Sequence, residues 1–396
     1  MAGALDGYRI VDVTAMMTGP AATMMLGDQG ADVIKVEPID GGDLTRQGGS
    51  AKQGISPFFA TVNRNKRSLA VDLKTEAGLE VVKRLVRTAD VFIQNFRPGV
   101  AERMGIGEPA LRELRSDLVY VSISGFGESG PYAHKRVYDP VIQALSGLAY
   151  IQGDRETGRP RMVRSIIPDP LTAVTAAQAV TAALLARERT GEGQHVRLSM
   201  LDSMVTFLWP EAMERYTFVN HDEEPGEKRL GQLRDLIFET SDGYITAGAN
   251  SDKEWHALAL AVGRPEWLED ERFATMTSRL KNWDVRMEAM QEAFRGRTSA
   301  ELLELLDKAD VPCAPINSRV DLLRDPQIVA NELIVEVEHP VVGPVRQTRP
   351  AARFEGTPSS LRQPAPMLGE QTDEILSELG YVADEIATLR QGSTVA

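Results

Sequence analysis

The chain has 396 residues, 42% hydrophobic and 26% charged, a balance that excludes a disordered or collagen-like protein. Acidic residues outnumber basic ones 57 to 44, giving a net charge of −13, which argues against nucleic acid as a partner. A single cysteine, Cys313, excludes an internal disulfide framework and fits a reducing, cytoplasmic setting. No apolar run approaches the roughly 18 residues of a membrane helix and no secretory pattern opens the chain, so no membrane partner is expected. At about 100–200 residues per domain, the length predicts two domains.

Residues 8–14 read as a strand, Thr18 to Leu26 as a helix stopped near Gly30, and Ala31 to Glu37 as a second strand. This is a β-α-β unit with an expected right-handed crossover. Further strands are predicted at Ser68–Leu73, Asp90–Gln94, Leu118–Ser122 and Gln194–Ser199. The helical patterns Glu76–Arg87 and Pro170–Arg189 lie between them. Such alternation predicts an α/β fold with an open, mostly parallel, Rossmann-like sheet. After Val219 the pattern changes. His221–Arg229 is charged and turn-rich, a linker signal, and Leu236–Thr240 and Tyr244–Ala247 flank a Ser-Asp-Gly turn. Helices near Asp252–Val262, Trp283–Phe294 and Ser299–Lys308 complete a smaller α+β middle domain, and Thr372–Leu379 reads as a late helix.

Several chemistries are missing. The turn Thr14–Pro20 lacks G-x-G-x-x-G, so a dinucleotide cannot approach its backbone closely, even though Glu37 stands where a ribose-binding acid would. There is no Walker A sequence and no G-x-S-x-G elbow. The five histidines show no metal-ligand spacing, so no metal is expected. The basic cluster Asn63–Arg67 with Lys74, together with Arg97 and Arg103 at the exit of the next strand, admits two readings: solvated charges at loop ends, or an anion cradle at the sheet edge. Asp169 precedes Pro170 and a long Ala-rich run, a capping pattern. A carboxylate held ionised at a helix start can also serve as a covalent nucleophile.

Eight ordered segments carry a resemblance: Leu5–Asp12, Gly30–Pro38, Asn65–Leu69, Asp90–Gly99, Ser122–Pro131, Tyr138–Gly147, Thr190–Gln194 and Leu368–Leu376. Together they resemble the family III CoA-transferases, also called the CaiB/BaiF family. The resemblance implies a large α/β domain from residues 1–220 and a return segment 331–396, with a small domain at 221–330. It also implies an interlocked ring homodimer, substrates that are an acyl-CoA and a carboxylic acid, and no permanently bound cofactor, the coenzyme A thioester being a substrate. By position, the nucleophile of the family falls on Asp169, with backbone amides near its helix start expected to stabilise oxyanions. CoA-binding positions fall on Val71, Lys74, Asn95, Phe96, Arg103, Met104, Arg136 and Met200, with Tyr138 and Asp139 beside the carboxylate.

This chain departs from the formyl-CoA transferase branch at Ala15, Met17 and Pro38, and in the segment Ala247–Asn250, which lacks that branch's glycine-rich loop. Gln371 replaces a common His. Arg46, Arg161 and Arg164 suggest a dicarboxylate among the substrates. The Met-rich stretch Met16, Met17, Met24 and Met25 reads as core or as an adaptable pocket wall. The alternatives weighed are an α-methylacyl-CoA racemase on the same fold, disfavoured by Tyr138 where a His base is expected, and a non-catalytic CoA-binding protein.

Overall fold

The computed structural model describes residues 2–213, 216–219 and 235–396; the linker predicted at His221–Arg229 lies outside them. The chain divides into two units. The first comprises Met1–Ala149, Met162–Thr217 and Ala330–Ala396, and the second Tyr150–Arg161 with Phe218–Val329. Residues 150–161, expected in the large domain, therefore belong to the smaller unit.

The first unit is built on six strands: β1 (Arg9–Asp12), β2 (Asp32–Glu37), β3 (Lys66–Ala70), β4 (Val91–Gln94), β5 (Val119–Ser124) and β6 (His195–Ser199). They pair in parallel throughout, in the order β3-β2-β1-β4-β5-β6. Near-continuous apolar runs such as Val91-Phe92-Ile93 suit strands covered on both faces. Alternate residues feed two cores. Val11, Ile34, Phe92 and Tyr120 meet the helix Glu76–Val86 on one face. Ile10, Val33, Ile93 and Val121 meet the helices Thr18–Asp28 and Pro168–Thr190 on the other. β3 begins two residues before its predicted start, because Lys66 and Ser68 turn inward rather than to solvent.

The helix Pro168–Thr190 is long and apolar enough to cross a membrane by length and composition, and it was not read that way from sequence. Its Ala173, Ala176, Ala177, Val180, Ala183 and Leu184 pack in the core, where small residues admit close approach to the sheet. Gly191 ends it in the left-handed region at φ 73°, where glycine carries no Cβ penalty.

The two readings of the basic residues divide: Lys74 and Arg103 are exposed, Arg97 lines the cleft described below, and the charges at 63–67 fit neither reading, since they are consumed in ion pairs inside the first unit. Arg64 pairs with Asp28 at 2.7 Å and Lys66 with Asp12 at 3.0 Å, all four buried. Arg67 joins Asp32, Glu374 and Glu378. Asp12 anchors a larger buried network. It also accepts from the hydroxyls of Thr14 and Thr23, while Lys35 bonds Asp43 at 3.0 Å and the carbonyl of Thr14 at 3.0 Å. Glu37 accepts from Nε and Nη2 of Arg46, each at 2.7 Å. Glu37 is thus unavailable to a ribose, and Arg46, which also stacks on Phe59, is unavailable to a substrate carboxylate.

The second unit holds a three-stranded antiparallel sheet, β7 (Ile237–Glu239), β8 (Tyr244–Ala247) and β9 (Cys313–Pro315), in that order. The predicted Ser-Asp-Gly hairpin joins β7 to β8. Its core stacks Trp255 on Trp267 and sets Phe238 against Phe294. Burial raises the Cys313 thiol above its ordinary value, which disfavours the thiolate.

Residues 330–396 return to the first unit. A hairpin unpredicted from sequence, β10 (Ile334–His339) with β11 (Gly343–Thr348), precedes the helix Thr372–Glu378. Gln371 ties that helix to β3: its Oε1 accepts from the Ser68 amide at 2.8 Å and its own amide donates to the Ser68 carbonyl at 3.1 Å.

Candidate active site

Strand order reverses between β1 and β4, and the chain leaves both strands at the same edge of the sheet. Ligand crevices of open α/β sheets form at such reversals, outside the carboxyl ends of the strands. A cleft of about 490 Å³ opens there. Residues 15–18 after β1, 95–98 after β4 and 123–125 at the end of β5 line it, with Phe58, residues 135–140, Ile166, Asp169 and Met200.

Asp169 reaches this cleft from the second residue of its helix; the N-cap position is Ile167, so the expected capping role is not the one observed. Its Oδ1 accepts a hydrogen bond from the Thr18 hydroxyl, at the start of the neighbouring helix. Burial raises the Asp169 carboxyl above its ordinary range, the Thr18 hydrogen bond opposes that, and the nearby Asp139 charge adds to it.

Asp139 organises the approach to Asp169. It is buried, its Oδ1 accepts from Gln143 at 2.6 Å, and its Oδ2 accepts from the amides of Ile167 at 3.0 Å and Asp169 at 3.5 Å. Gln143 in turn takes the Val163 amide at 3.0 Å. The first turn of the Asp169 helix therefore has no spare donor: Pro168 and Pro170 carry no N–H, and the remaining amides face Asp139. The expectation that this helix start stabilises oxyanions is corrected accordingly. Asp139→Ala leaves these amides without their acceptor and is expected to cost about 1–3 kcal/mol in urea denaturation.

The loop between β1 and the helix Thr18–Asp28 is held from three sides. Asn95 grips Ala15 with both ends of its carboxamide, accepting the Ala15 amide at 3.0 Å and donating to its carbonyl at 2.8 Å. Asp43, at the end of the buried network, accepts the Met16 amide at 3.3 Å. Met16 sits at φ 71°, a left-handed conformation that costs about 1–3 kcal/mol for a residue other than glycine. Gly19 completes the corner, because a Cβ there would lie 2.3 Å from the Thr14 side chain. The Met-rich stretch divides: Met16 and Met17 line the cleft, Met24 is buried and Met25 packs against the core.

Of the residues predicted for the site, Asn95, Phe96, Arg136, Tyr138, Asp139, Asp169 and Met200 come together in this cleft. Val71 is buried and bridges Val395, Lys74 and Arg103 are exposed, and Met104 packs against the core; none of these four lines the cleft. The Asn95 side chain is committed to Ala15, which leaves its backbone for a ligand. Arg161 pairs with Asp154 in the second unit, and Arg164 is exposed and outside the cleft lining. Sequence reasoning missed Thr18, Asp43, Gln143 and Lys135 as parts of the site, whereas Arg97, read as part of a possible anion cradle, does line the cleft. Arg97, Lys135 and Arg136 are exposed at the cleft with no carboxylate partner among the described residues. Three such unpaired cations beside a half-buried carboxyl make a site for an anionic ligand with an electrophilic centre.

Comparison with known proteins agrees with this chemistry. The mouse (Mus musculus) succinyl-CoA:glutarate CoA-transferase is 35% identical over 376 residues, 95% of this chain and 86% of that protein. The formyl-CoA:oxalate CoA-transferase of Shigella sonnei is 30% identical over the full length of both chains. The crystal structure of a CaiB/BaiF family protein from Brucella suis superposes with a TM-score of 0.83 at 33% identity, over 96% of this chain and all of that one. A model of the family described as CoA-transferase family III matches residues 5–372, and the chain belongs to that family and is a CoA-transferase.

Proposed function

We propose that this enzyme moves CoA from succinyl-CoA to a second carboxylic acid through a covalent intermediate on Asp169. The observation that carries this reading is the Asp169 carboxyl, half-buried in the cleft with a raised pKa and with no donor to Oδ2 among the described residues. A carboxylate with a raised pKa is the stronger nucleophile once ionised.

In the first step an Asp169 oxygen attacks the thioester carbonyl and CoA leaves as its thiolate, forming an aspartyl–acyl anhydride. The thiolate attacks the aspartyl carbonyl, expels the donor acid and leaves an aspartyl-CoA thioester. The acceptor carboxylate attacks that thioester, releases the thiolate and forms a second anhydride. The thiolate then takes the acceptor acyl group and frees Asp169. Each step exchanges one activated acyl bond for another, so no external energy source is required.

Arg97, Lys135 and Arg136 supply the positive charge that CoA phosphates require at the cleft. Succinyl-CoA is favoured as donor by the 35% identity to the succinyl-CoA:glutarate enzyme, against 30% to the formyl-CoA enzyme. A homodimer belongs to the same reading. Val174 and Leu185 on the Asp169 helix, and Phe207 and Trp209 on the helix Met200–Ala212, are apolar and exposed, surface that a second copy would bury.

Incubation with succinyl-CoA and ¹³C-labelled succinate or glutarate, followed by mass spectrometry of every CoA thioester, tests the proposal. Label entering succinyl-CoA, or glutaryl-CoA appearing, is the expected result. Deuterium incorporated at the α-carbon of a 2-methylacyl-CoA in D₂O, with no acyl exchange, would instead mean racemisation.

A further inference from the structure

We propose that Thr18 is a further catalytic residue, whose hydroxyl fixes Asp169 Oδ1 as the carbonyl oxygen of the covalent intermediates and stabilises the oxyanion that forms on it. The inference rests on the Asp169 reading above. It begins from an asymmetry: Oδ1 accepts from the Thr18 hydroxyl, while Oδ2 has no donor among the described residues. Oδ2 is then the oxygen that bonds to the substrate acyl carbon.

Two of the four steps are attacks on the aspartyl carbon, first by CoA thiolate and then by the acceptor carboxylate. In each, the electron pair of the C=O bond moves onto Oδ1, and it returns as the leaving carboxylate or thiolate departs. A donor must therefore stand at Oδ1 itself. The Asp169 helix cannot supply one, since Pro168 and Pro170 lack N–H groups and the amides of Ile167 and Asp169 face Asp139. Thr18 can. It is buried at 4% exposure, it begins an 11-residue helix, and the amides of Thr18 and Gly19 have no acceptor among the described residues, so the positive end of that helix lies at the same hydroxyl. The clamps on Ala15 and Met16 hold that helix start in place.

Thr18→Val keeps the shape and removes the donor; Thr18→Ser keeps the donor and removes the methyl. For succinate exchange into succinyl-CoA, Thr18→Val is expected to lower kcat about 10²-fold with KM changed far less, and Thr18→Ser to restore most of the rate. The acid limb of the pH–rate profile should move to higher pH in Thr18→Val only, because the lost hydrogen bond favoured the ionised carboxylate. A second measurement needs no turnover: the pH dependence of Asp169 labelling by Woodward's reagent K, read by mass spectrometry, should shift upward in the same variant alone. An unshifted labelling midpoint in Thr18→Val, a kcat within twofold of wild type, or a Thr18→Ser variant as slow as Thr18→Val would each overturn the role. Absence of exchange in the wild type, or full exchange in Asp169→Ala, would overturn the parent reading, and the labelling midpoint would still decide whether Thr18 governs the carboxyl.

Discussion

Asp169→Asn should abolish acyl exchange, with a loss of at least about 10⁴-fold in kcat, while CoA still binds. The substitution keeps the side chain's shape and its place beside Thr18, but an amide does not form the anhydride. The Arg97, Lys135 and Arg136 cluster is untouched, so CoA affinity measured by calorimetry should change by less than about threefold. Exchange and affinity lost together would mean a collapsed cleft rather than a missing nucleophile.

The wild-type pH profile adds an independent check. Burial raises the Asp169 carboxyl above its ordinary 3.8, against the Thr18 hydrogen bond, and Asp139 adds to the shift. On the proposed mechanism Asp169 attacks in its ionised form, so kcat/KM should fall as pH drops through a value above 3.8. Removing the Asp139 charge removes one of the raising contributions and should move the limb toward lower pH in Asp139→Asn, the opposite direction from Thr18→Val.

The second large effect concerns stability. Asp12→Ala is expected to cost about 3–5 kcal/mol, read as a lower urea midpoint with an unchanged slope. Asp12 is fully buried, and its loss leaves the Lys66 ammonium without its counter-charge at the centre of the first unit. Burial alone would raise the Asp12 carboxyl, but Lys66, Lys35 and the hydroxyls of Thr14 and Thr23 override it and hold it at about 2. A carboxyl whose folded pKa is depressed stabilises above its unfolded value and loses that contribution as pH falls. The wild type should accordingly lose Asp12-linked stability between about pH 4 and pH 2, and this part of the acid limb should be missing in Asp12→Ala.

This network also reaches the cleft. Lys35 joins Asp12's neighbourhood to Asp43, and Asp43 holds the Met16 amide. The cost of burying six charged groups, Asp12, Lys35, Glu37, Asp43, Arg46 and Lys66, is coupled to holding the loop before Thr18 in a conformation that Met16 would otherwise leave.

Much of the fold was legible because its signals are local. Strands β1, β2, β4 and β5 are short apolar runs, the Ser-Asp-Gly turn marks its hairpin, and Gly191 marks the end of its helix; each depends on a handful of adjacent residues. The β10–β11 hairpin was missed although Ile334-Val-Glu-Val-Glu338 alternates as a strand should, because Pro340-Val341-Val342 carries no hairpin-turn signature. Asp169 was legible as a candidate nucleophile through the family resemblance and its place at a helix start.

The contacts that hold Asp169 and its neighbours were not legible, because they are assembled across the chain. Thr18 lies 151 residues from Asp169 and Asn95 lies 80 from Ala15. Only the reversal of strand order at β1 and β4 brings those segments to one edge. The charges at 64–67 illustrate the same limit. Their sequence neighbours suggest solvent or an anion, but sheet register and the overlying helix Thr18–Asp28 bury Arg64 against Asp28 and Lys66 against Asp12. The sequence by itself determined Asp169 as the candidate carboxylate and most of the elements around it. The tertiary structure decided which oxygen of Asp169 is held and which charges remain unpaired for a ligand, because hydrogen bonds and desolvation depend on distance in space, not along the chain.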